Sequence, residues 1–256
     1  MKEVLALIRK KKEEFEKLAL FAFMQDTSIA PLERISWAPC LAPFAMCVKD
    51  LNNYVLRKEP ADSLLQEMIN IHTYEECTHW AWYLADLEKL GVNLSLPFTE
   101  TLRFLWGNET QRTRQLCYDL AAICHFNDDP VLKLTVIECM ETTGRVTLIS
   151  MLPVCRELEG ITRKRLSYFG EAHLKVELGH IRGSLKNDCI EKFLEAIELN
   201  KEQEKTACQI VEKVFASFSA LIDEQMEYVQ RHTGQYFFST IGWEPKKGLR
   251  SCASMN

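Results

Sequence analysis

The sequence predicts an all-α fold, and three observations carry that prediction. Only ten glycines and eight prolines interrupt the 256 residues. The long stretches between them place apolar residues three and four positions apart, which is the spacing of one helix face. The alternation typical of strands is weak throughout, and GQYFFSTIGWEP (234–245) is the single candidate for an extended segment.

The apolar periodicity defines each helix in turn. The third helix can begin at Asp62 and Ser63, because short polar side chains accept hydrogen bonds from the free N–H groups of a first turn. Gly91 can end it, since glycine readily adopts the left-handed conformation found after helix ends. The predicted helices span residues 2–24, 31–57, 62–90, 98–106, 109–125, 130–158, 161–182, 188–198 and 201–231.

Three prolines bear on the course of these helices, because proline lacks a backbone N–H donor and clashes with the preceding turn. Pro39 and Pro43 predict a second helix that is kinked or begins after Pro43, and Pro153 predicts a kink or an end in the sixth. No linker, repeat or low-complexity segment divides the chain. We therefore predict one helical domain over residues 1–235 and a C-terminal tail over 236–256.

Composition and charge exclude several function classes. The hydrophobic fraction of 47% allows a sizeable core, and 31 basic against 36 acidic residues give a net charge of -5. This balance gives no electrostatic reason to bind nucleic acid or an anionic membrane. The N-terminal segment is charged and amphipathic, and no apolar run reaches the roughly 18 residues of a membrane span, so we expect a cytoplasmic protein without a signal peptide.

The ten cysteines are spread over predicted helices without the spacing of a disulfide framework. No CxxC pair occurs, which argues against a cysteine zinc site. We expect reduced, mostly buried thiols.

Four of the six histidines lie in two short segments, HTYEECTHW (72–80) and HLKVELGH (173–180). Positions three, four and seven residues apart share one face of an α-helix, so His173, Glu177 and His180 point the same way. A lone histidine is more often structural than a ligand, but two such segments are hard to obtain from six histidines by chance. The pattern indicates a metal site.

The first segment leaves its carboxylate ligand open. His72 and His79 are again seven residues apart, with two glutamates between them. Glu76 with His79 has the Glu-x-x-His spacing of carboxylate-bridged sites in helical bundles, whereas Glu75 with His79 forms an i, i+4 pair. Angular position alone does not choose between the two glutamates.

A third source of carboxylates is the apolar segment 131–152, which contains Glu138 and Glu141. A buried carboxylate without a partner is costly, and a metal cation would supply that partner. The mixed set of nitrogen and oxygen donors suits two iron or manganese ions, and it would also bind zinc.

Other side chains near the first segment have two readings. Trp80, Trp82 and Tyr83 could line a substrate pocket, although core packing is the more usual role of aromatic residues at helical spacing. Asp86 is either an acceptor for an imidazole N–H or a solvated acid.

With these residues in place, the sequence resembles the haem-oxygenase-like di-iron oxidases, an all-helical family that shares its bundle with haem oxygenase and the TenA-type thiaminases. HLKVELGH is similar to that family's final ligand motif, His-x-x-x-Asp/Glu-x-x-His, and Glu141 precedes it by about thirty residues, where the family places a ligand carboxylate. The similarity covers the span from INIHTYEECTHWAWYLADLEKLG to FGEAHLKVELGH. It implies a single-domain haem-oxygenase-like helical bundle.

The resemblance also implies a ligand set and its chemistry. It favours Glu75 over Glu76 and adds His72 as an imidazole ligand. Two Fe(II) ions are implied, with dioxygen as co-substrate, and Glu141 and His173 are expected to be essential for catalysis. The implied metal ligands are His72, Glu75, His79, Glu141, His173, Glu177 and His180.

The first segment is most similar to family members that convert a brominated tryptophan to an indole nitrile in cyanobacterial toxin biosynthesis. The resemblance therefore implies oxidation of an amino acid, a tryptophan or halogenated tryptophan, with carbon-carbon cleavage to a nitrile. The candidates to bind its carboxylate are Arg145, Arg163, Arg165 and Arg182.

Two alternatives stay open at this point. One is another reaction of the same family, such as N-oxygenation or oxidative cleavage of a different amino or fatty acid. The other is a metal-free helical binding protein. The expected partner is a small-molecule amino acid, with neither nucleic acid nor a membrane, and a homodimer is among the assemblies that the sequence leaves open.

Overall fold

A computed structural model describes residues 1–92, 97–179 and 187–232, with the backbone alone at residues 178–179 and 187–191. Within these ranges every regular element is helical and no strand occurs, which confirms the predicted all-α class. The segment 234–245, the domain boundary at residue 235 and His180 lie outside the described residues. In chain order the α-helices are α1 (Lys2–Phe15), α2 (Ala19–Gln25), α3 (Pro31–Arg34), α4 (Ala42–Asp50), α5 (Leu64–Glu76), α6 (His79–Leu90), α7 (Phe98–Trp106), α8 (Gln111–Phe126), α9 (Pro130–Thr162), α10 (Glu171–Gly179), α11 (Asn187–Ala196) and α12 (Lys201–Arg231).

The predicted helix 2–24 is interrupted between α1 and α2. Leu18 has an extended backbone, with φ -63° and ψ 143°, and turns the chain there. The turn brings the rings of Phe15 and Phe21 into edge contact at 5.2 Å. Both helices therefore bury their apolar faces in the same core.

Residues 31–57, predicted as one helix with a kink or a late start, form several separate elements. After α3 come a 3-10 turn over Ala38–Leu41, then α4, then a π-turn over Leu51–Leu56. Pro39 and Pro43 each lie in the first turn of an element, where a missing N–H donor breaks no helical hydrogen bond. α4 consequently begins just before Pro43 and not after it.

The predicted helix 62–90 is divided by Cys77 and Thr78, which separate α5 from α6. His72 and His79 therefore lie on different helices, and their spacing of seven does not place them on one face. The caps predicted for the outer ends are confirmed. Ser63 Oγ accepts a hydrogen bond from the Gln66 backbone N–H at 3.2 Å, and Gly91 ends α6 with φ 82°.

The predicted helices 130–158 and 161–182 also meet differently. α9 continues past Pro153 and ends at Thr162, and the next residue, Arg163, adopts the left-handed conformation with φ 59°. Residues 163–170 then form a loop, and α10 begins at Glu171. This loop becomes important for the functional site.

α9 is the central helix of the fold. Its first half, residues 131–143, is buried on nearly every face, whereas Ile149, Pro153, Arg156 and Gly160 form an exposed stripe along its second half. It packs against α1, α2, α3, α5, α8, α10 and α12. Glu141 lies in the enclosed half and is only 8% exposed.

None of the described helices is long and apolar enough to cross a lipid bilayer. The cysteines with described side chains are free thiols, in agreement with the sequence prediction. The buried ones are Cys40, Cys117, Cys124, Cys139 and Cys155.

Glu224 of α12 stabilises the start of α8. Its carboxylate is only 2% exposed and accepts hydrogen bonds from the backbone N–H groups of Arg112 at 2.6 Å and Thr113 at 3.0 Å. The Thr113 hydroxyl donates a third hydrogen bond at 2.8 Å. N–H groups in a first helical turn lack helical partners and favour negative charge nearby, so Glu224 acts as a cap supplied from another helix.

Replacement of Glu224 by alanine should lower the free energy of unfolding by about 2–3 kcal/mol, because buried N–H donors lose their acceptor. Chemical denaturation followed by circular dichroism measures this change. Glu227→Ala is the matched control, since Glu227 pairs with the side chain of Arg112 at the exposed surface. We expect a loss below about 0.5 kcal/mol in the control, and equal losses in the two variants would contradict the capping role.

Candidate metal centre

Six side chains from four helices form two neighbouring clusters. In each cluster, one nitrogen or oxygen atom per residue lies within 4.8 Å of the corresponding atoms of the other two. α5 and α10 contribute two residues each, while α6 and α9 contribute one each. Cluster A consists of His79, His173 and Glu177, and cluster B consists of His72, Glu76 and Glu141.

Cluster A is compact and buried. His173 Nε2 lies 3.0 Å from Glu177 Oε1 and 3.2 Å from His79 Nδ1. His79 Nδ1 lies 3.9 Å from Glu177 Oε1. Three potential donor atoms thus converge on one point, as the ligands of a single cation would.

Cluster B adjoins cluster A through Glu76. The Oε2 atom of Glu76 lies 3.0 Å from His79 Nδ1 in cluster A. Within cluster B, His72 Nε2 lies 3.8 Å from Glu141 Oε1. A carboxylate placed between two sets of donors is suited to bridge two cations, as glutamates do in carboxylate-bridged helical bundles.

The acidic side chains of the two clusters repel one another. Burial and the neighbouring charges of Glu177 and Glu76 raise the pKa of Glu141 well above its ordinary value, as does a hydrogen bond to Glu177. The positive charge of Arg145 opposes this shift without cancelling it. A cation among these carboxylates would replace the proton and relieve the repulsion, so the donors fit a divalent metal ion.

His173 is oriented by the loop that precedes α10. Its Nδ1 lies 2.7 Å from the backbone carbonyl oxygen of Tyr168. A carbonyl can only accept, so Nδ1 carries a proton, and in the neutral imidazole Nε2 has a lone pair directed at cluster A. This arrangement is the usual support of a metal-binding imidazole.

Asp86 holds that loop in place. Its carboxylate is fully buried and accepts hydrogen bonds from the backbone N–H groups of Ser167 at 2.8 Å, Tyr168 at 2.7 Å and Phe169 at 3.1 Å. Lys89 donates a further bond at 2.9 Å. Asp86 therefore acts on His173 through the backbone, and it is neither an imidazole acceptor nor a solvated acid as the sequence indicated.

The aromatic residues near the first segment have three different roles. Trp82 stacks on His79, with ring centroids 4.4 Å apart, and so fixes the plane of that imidazole. Tyr83 is buried and donates a hydrogen bond to the carbonyl oxygen of Ala38 at 2.9 Å, which is a core role. Trp80 lines a cavity beside the clusters.

This cavity is lined by all six cluster residues. Its volume is about 130 Å³, counted as the space open to the centre of a water-sized sphere. One water needs roughly 10–15 Å³ on that measure, so the cavity can hold an organic molecule. Much of its remaining wall is aromatic or aliphatic and includes Trp37, Phe44, Trp80, Met151, Phe169 and Phe218.

The structure brings together five of the seven residues in the implied ligand set. They are His72, His79, Glu141, His173 and Glu177. Glu76 lies in cluster B, and the Glu-x-x-His spacing was the sequence signal for it. Glu75 is half-buried and belongs to neither cluster of described residues, and Glu138 is buried and likewise belongs to neither.

None of the arginines predicted to bind a substrate carboxylate is found in the described cavity wall. Arg145, Arg163 and Arg165 are absent from the described cavity wall, and Arg182 lies outside the described residues. The described wall contains neither lysine nor arginine. This outcome could not be predicted from the sequence, because proximity along the chain does not show which way a side chain points.

Replacement of Asp86 by asparagine should lower the free energy of unfolding by about 2–4 kcal/mol, because an amide group satisfies fewer of the three backbone donors. Metal affinity should fall roughly 10- to 100-fold, because Tyr168 no longer orients His173. Chemical denaturation and a Mn(II) titration measure the two effects. Ser167→Ala is the control, since it keeps the backbone N–H that Asp86 binds. If Ser167→Ala and Asp86→Asn bind Mn(II) with equal affinity, the orienting role of Asp86 is contradicted.

No protein-family model matches this chain, and neither does any curated protein. The two clusters, the loop that orients His173 and the cavity are therefore the features that bear on function.

Proposed function

We propose that this protein is an oxygen-dependent, non-haem di-iron oxidoreductase with the haem-oxygenase-like fold, acting on an amino acid with an aromatic side chain. One observation carries the proposal: two His/Glu clusters joined through Glu76 line one largely apolar cavity. The chemistry of the donors and the resemblance of HLKVELGH to a di-iron ligand motif support it together.

Two Fe(II) ions fit the donor set of the six cluster residues, and His180 would extend the set to seven. Bound iron supplies the electrons and open coordination positions with which dioxygen is activated. The carboxylates of Glu76, Glu141 and Glu177 suit this task because a carboxylate can bridge two cations and change how many oxygens it offers. Imidazoles provide terminal bonds of fixed direction.

The protein contributes positioning and a shielded site. Residues of the apolar wall exclude water and pack against an aromatic side chain, while the polar head group of an amino acid lies towards the clusters. Burial and the charges of Glu76 and Glu177 raise the pKa of Tyr168, a residue of the cavity wall. Its phenol therefore keeps its proton and can donate a hydrogen bond to a substrate.

For the specific reaction we propose conversion of tryptophan, or a halogenated tryptophan, to an indole nitrile with cleavage of a carbon-carbon bond. The support for this step is the resemblance of the first histidine segment to nitrile-forming members of the family. The size and apolar wall of the cavity are compatible with an indole ring.

An anaerobic Fe(II) titration should saturate at about two ions per chain, one for each cluster. Glu177→Gln removes a charged donor from cluster A and should lower saturation to about one ion, with loss of oxygen uptake in the presence of tryptophan. Glu171→Gln is the matched control, since Glu171 lies on the same helix at the exposed surface. If the unaltered protein takes up neither Fe(II) nor Mn(II), the metal-free binding protein is the better account.

Gly144 offers a test of the cavity as the substrate site. It lies in the cavity wall on α9, and a Cβ atom built there would meet no atom within 4 Å. Gly144→Ala should raise the free energy of unfolding by about 0.5–1 kcal/mol through helix propensity. The same methyl group should weaken tryptophan binding by about tenfold, because it occupies ligand space.

Gly160→Ala is the control for this variant. Gly160 lies on the same helix, and its Cβ would also meet nothing within 4 Å, but it is outside the cavity wall. Calorimetric titration with L-tryptophan and thermal unfolding compare the two variants. We expect a small gain in stability in both and weaker binding in Gly144→Ala alone, whereas equal affinities would place the ligand elsewhere.

A further inference from the structure

Gln225 is a buried amide in the wall of the cavity. It is 0% exposed, and neither its Oε1 nor its Nε2 has a hydrogen-bond partner among the described residues. It continues the face of α12 that carries Phe218, Leu221 and Ile222 into the same cavity, with the spacing of three, four and seven residues. An apolar side chain would suit this position for packing alone, because an unpaired buried amide costs free energy.

Asn52 is a second amide of the cavity wall. Its Nδ2 donates to the carbonyl oxygen of Val48 at 2.9 Å, and its Oδ1 is buried and has no partner within the part of the chain that the structure describes. Asn52 lies in the π-turn that follows α4, an irregularity that is frequent at functional sites. Two elements distant in sequence thus bring unpaired amide groups to one cavity.

These amides define the chemistry of a complementary ligand group. Together they present two free acceptor oxygens and one free NH2 group. Without lysine or arginine in the described wall, a carboxylate has no cationic partner there. A neutral ligand group with an N–H or O–H donor can pair with either of these oxygens, and the indole of an aromatic amino acid carries such an N–H.

The location of Gln225 gives the ligand a direction. α12 packs chiefly against α1, α8 and α9, whereas five of the six cluster residues lie on α5, α6 and α10. Gln225 therefore belongs to the wall away from most of the cluster residues. A charged amino-acid head group at the clusters leaves the far end of its side chain beside Gln225.

We infer that Gln225, assisted by Asn52, is the recognition site for the ring N–H of an indole-bearing amino acid. The inference rests on the proposed function, since it assumes that an aromatic amino acid occupies the cavity. It adds that the protein selects an indole over aromatic rings that lack a hydrogen-bond donor. A site built to hydrogen-bond a ligand discriminates against an analogue without the donor, because its own polar groups are then left unpaired.

The test compares L-tryptophan with 3-(3-benzothienyl)-L-alanine, in which sulfur replaces the ring N–H with little change of shape. Dissociation constants are measured by calorimetry on the full chain, with and without Mn(II). The unaltered protein should bind tryptophan at least about tenfold more tightly than the sulfur analogue. In Gln225→Met the two ligands should bind within about twofold of each other, because the amide that distinguishes them is gone.

Gln209→Met is the matched control, because Gln209 lies on the exposed side of the same helix. It should keep the discrimination of the unaltered protein. The ligand-free Gln225→Met variant should also unfold at a higher temperature than the unaltered protein, because a buried unpaired amide has been removed, and this readout also shows that the variant folds.

The outcomes separate the inference from the proposed function. Equal binding of the two ligands to the unaltered protein, or discrimination that survives in Gln225→Met, overturns the inference and leaves an aromatic amino-acid site standing. Failure of both ligands to bind overturns the inference and the proposed substrate class together. The Mn(II) titration then reports separately whether the metal centre stands.

Discussion

The structure depends on the burial of acidic side chains around a central helix. Glu141 lies in the enclosed first half of α9 and is only 8% exposed. Glu177 and Glu76 approach the same region from α10 and α5, and their proximity keeps the pKa of Glu141 high. Burying several carboxyl groups together is unfavourable unless cations or protons neutralise them, so the fold has to supply one or the other.

The imidazoles offer two ways to neutralise these carboxyl groups. Protonated imidazoles of His79, His173 and His72 can form ion pairs with them, and neutral imidazoles can share a bound cation with them. Neutral imidazole nitrogens and carboxylate oxygens at 3–4 Å are a donor set for a divalent cation. The hydrogen bond that His173 Nδ1 donates to the Tyr168 carbonyl oxygen leaves Nε2 directed at the donor atoms of cluster A, an orientation that suits a metal ligand.

The residue types of the two clusters could be predicted from the sequence because their spacing is local. His173 and Glu177 are four residues apart on one helix, and Glu141 stands out in an apolar segment. The division of α5 from α6 at Cys77 and Thr78 was missed, since the apolar periodicity continues on both sides and only the tertiary structure reveals the break. The same helix break explains why Glu76, and not Glu75, lies in cluster B. The angular relation of both glutamates to His79 changes once the helix is divided.

Contacts between segments that are distant in sequence could not be predicted, for a different reason. Asp86 and the loop at Ser167 to Phe169 are about eighty residues apart, and the loop itself was predicted to be helical. A buried carboxylate that binds three consecutive backbone N–H groups leaves no periodic trace in the sequence. The same is true of Glu224 at the start of α8, whose acidic character alone suits a solvated helix face equally well.

The cavity explains the residue type at two positions where helix propensity or packing alone would favour a different residue. Gly144 weakens the central helix without making a close contact that requires it, and Gln225 places an unpaired amide where an aliphatic side chain would pack better. Gly144 and Gln225 each lower the stability of the protein, and both line the cavity beside the clusters. Residues that lower the stability of an empty site are intelligible when they complement a ligand, because the free energy is recovered on binding. The Gly144 position leaves room for that ligand, and the Gln225 amide gives it a polar group to meet.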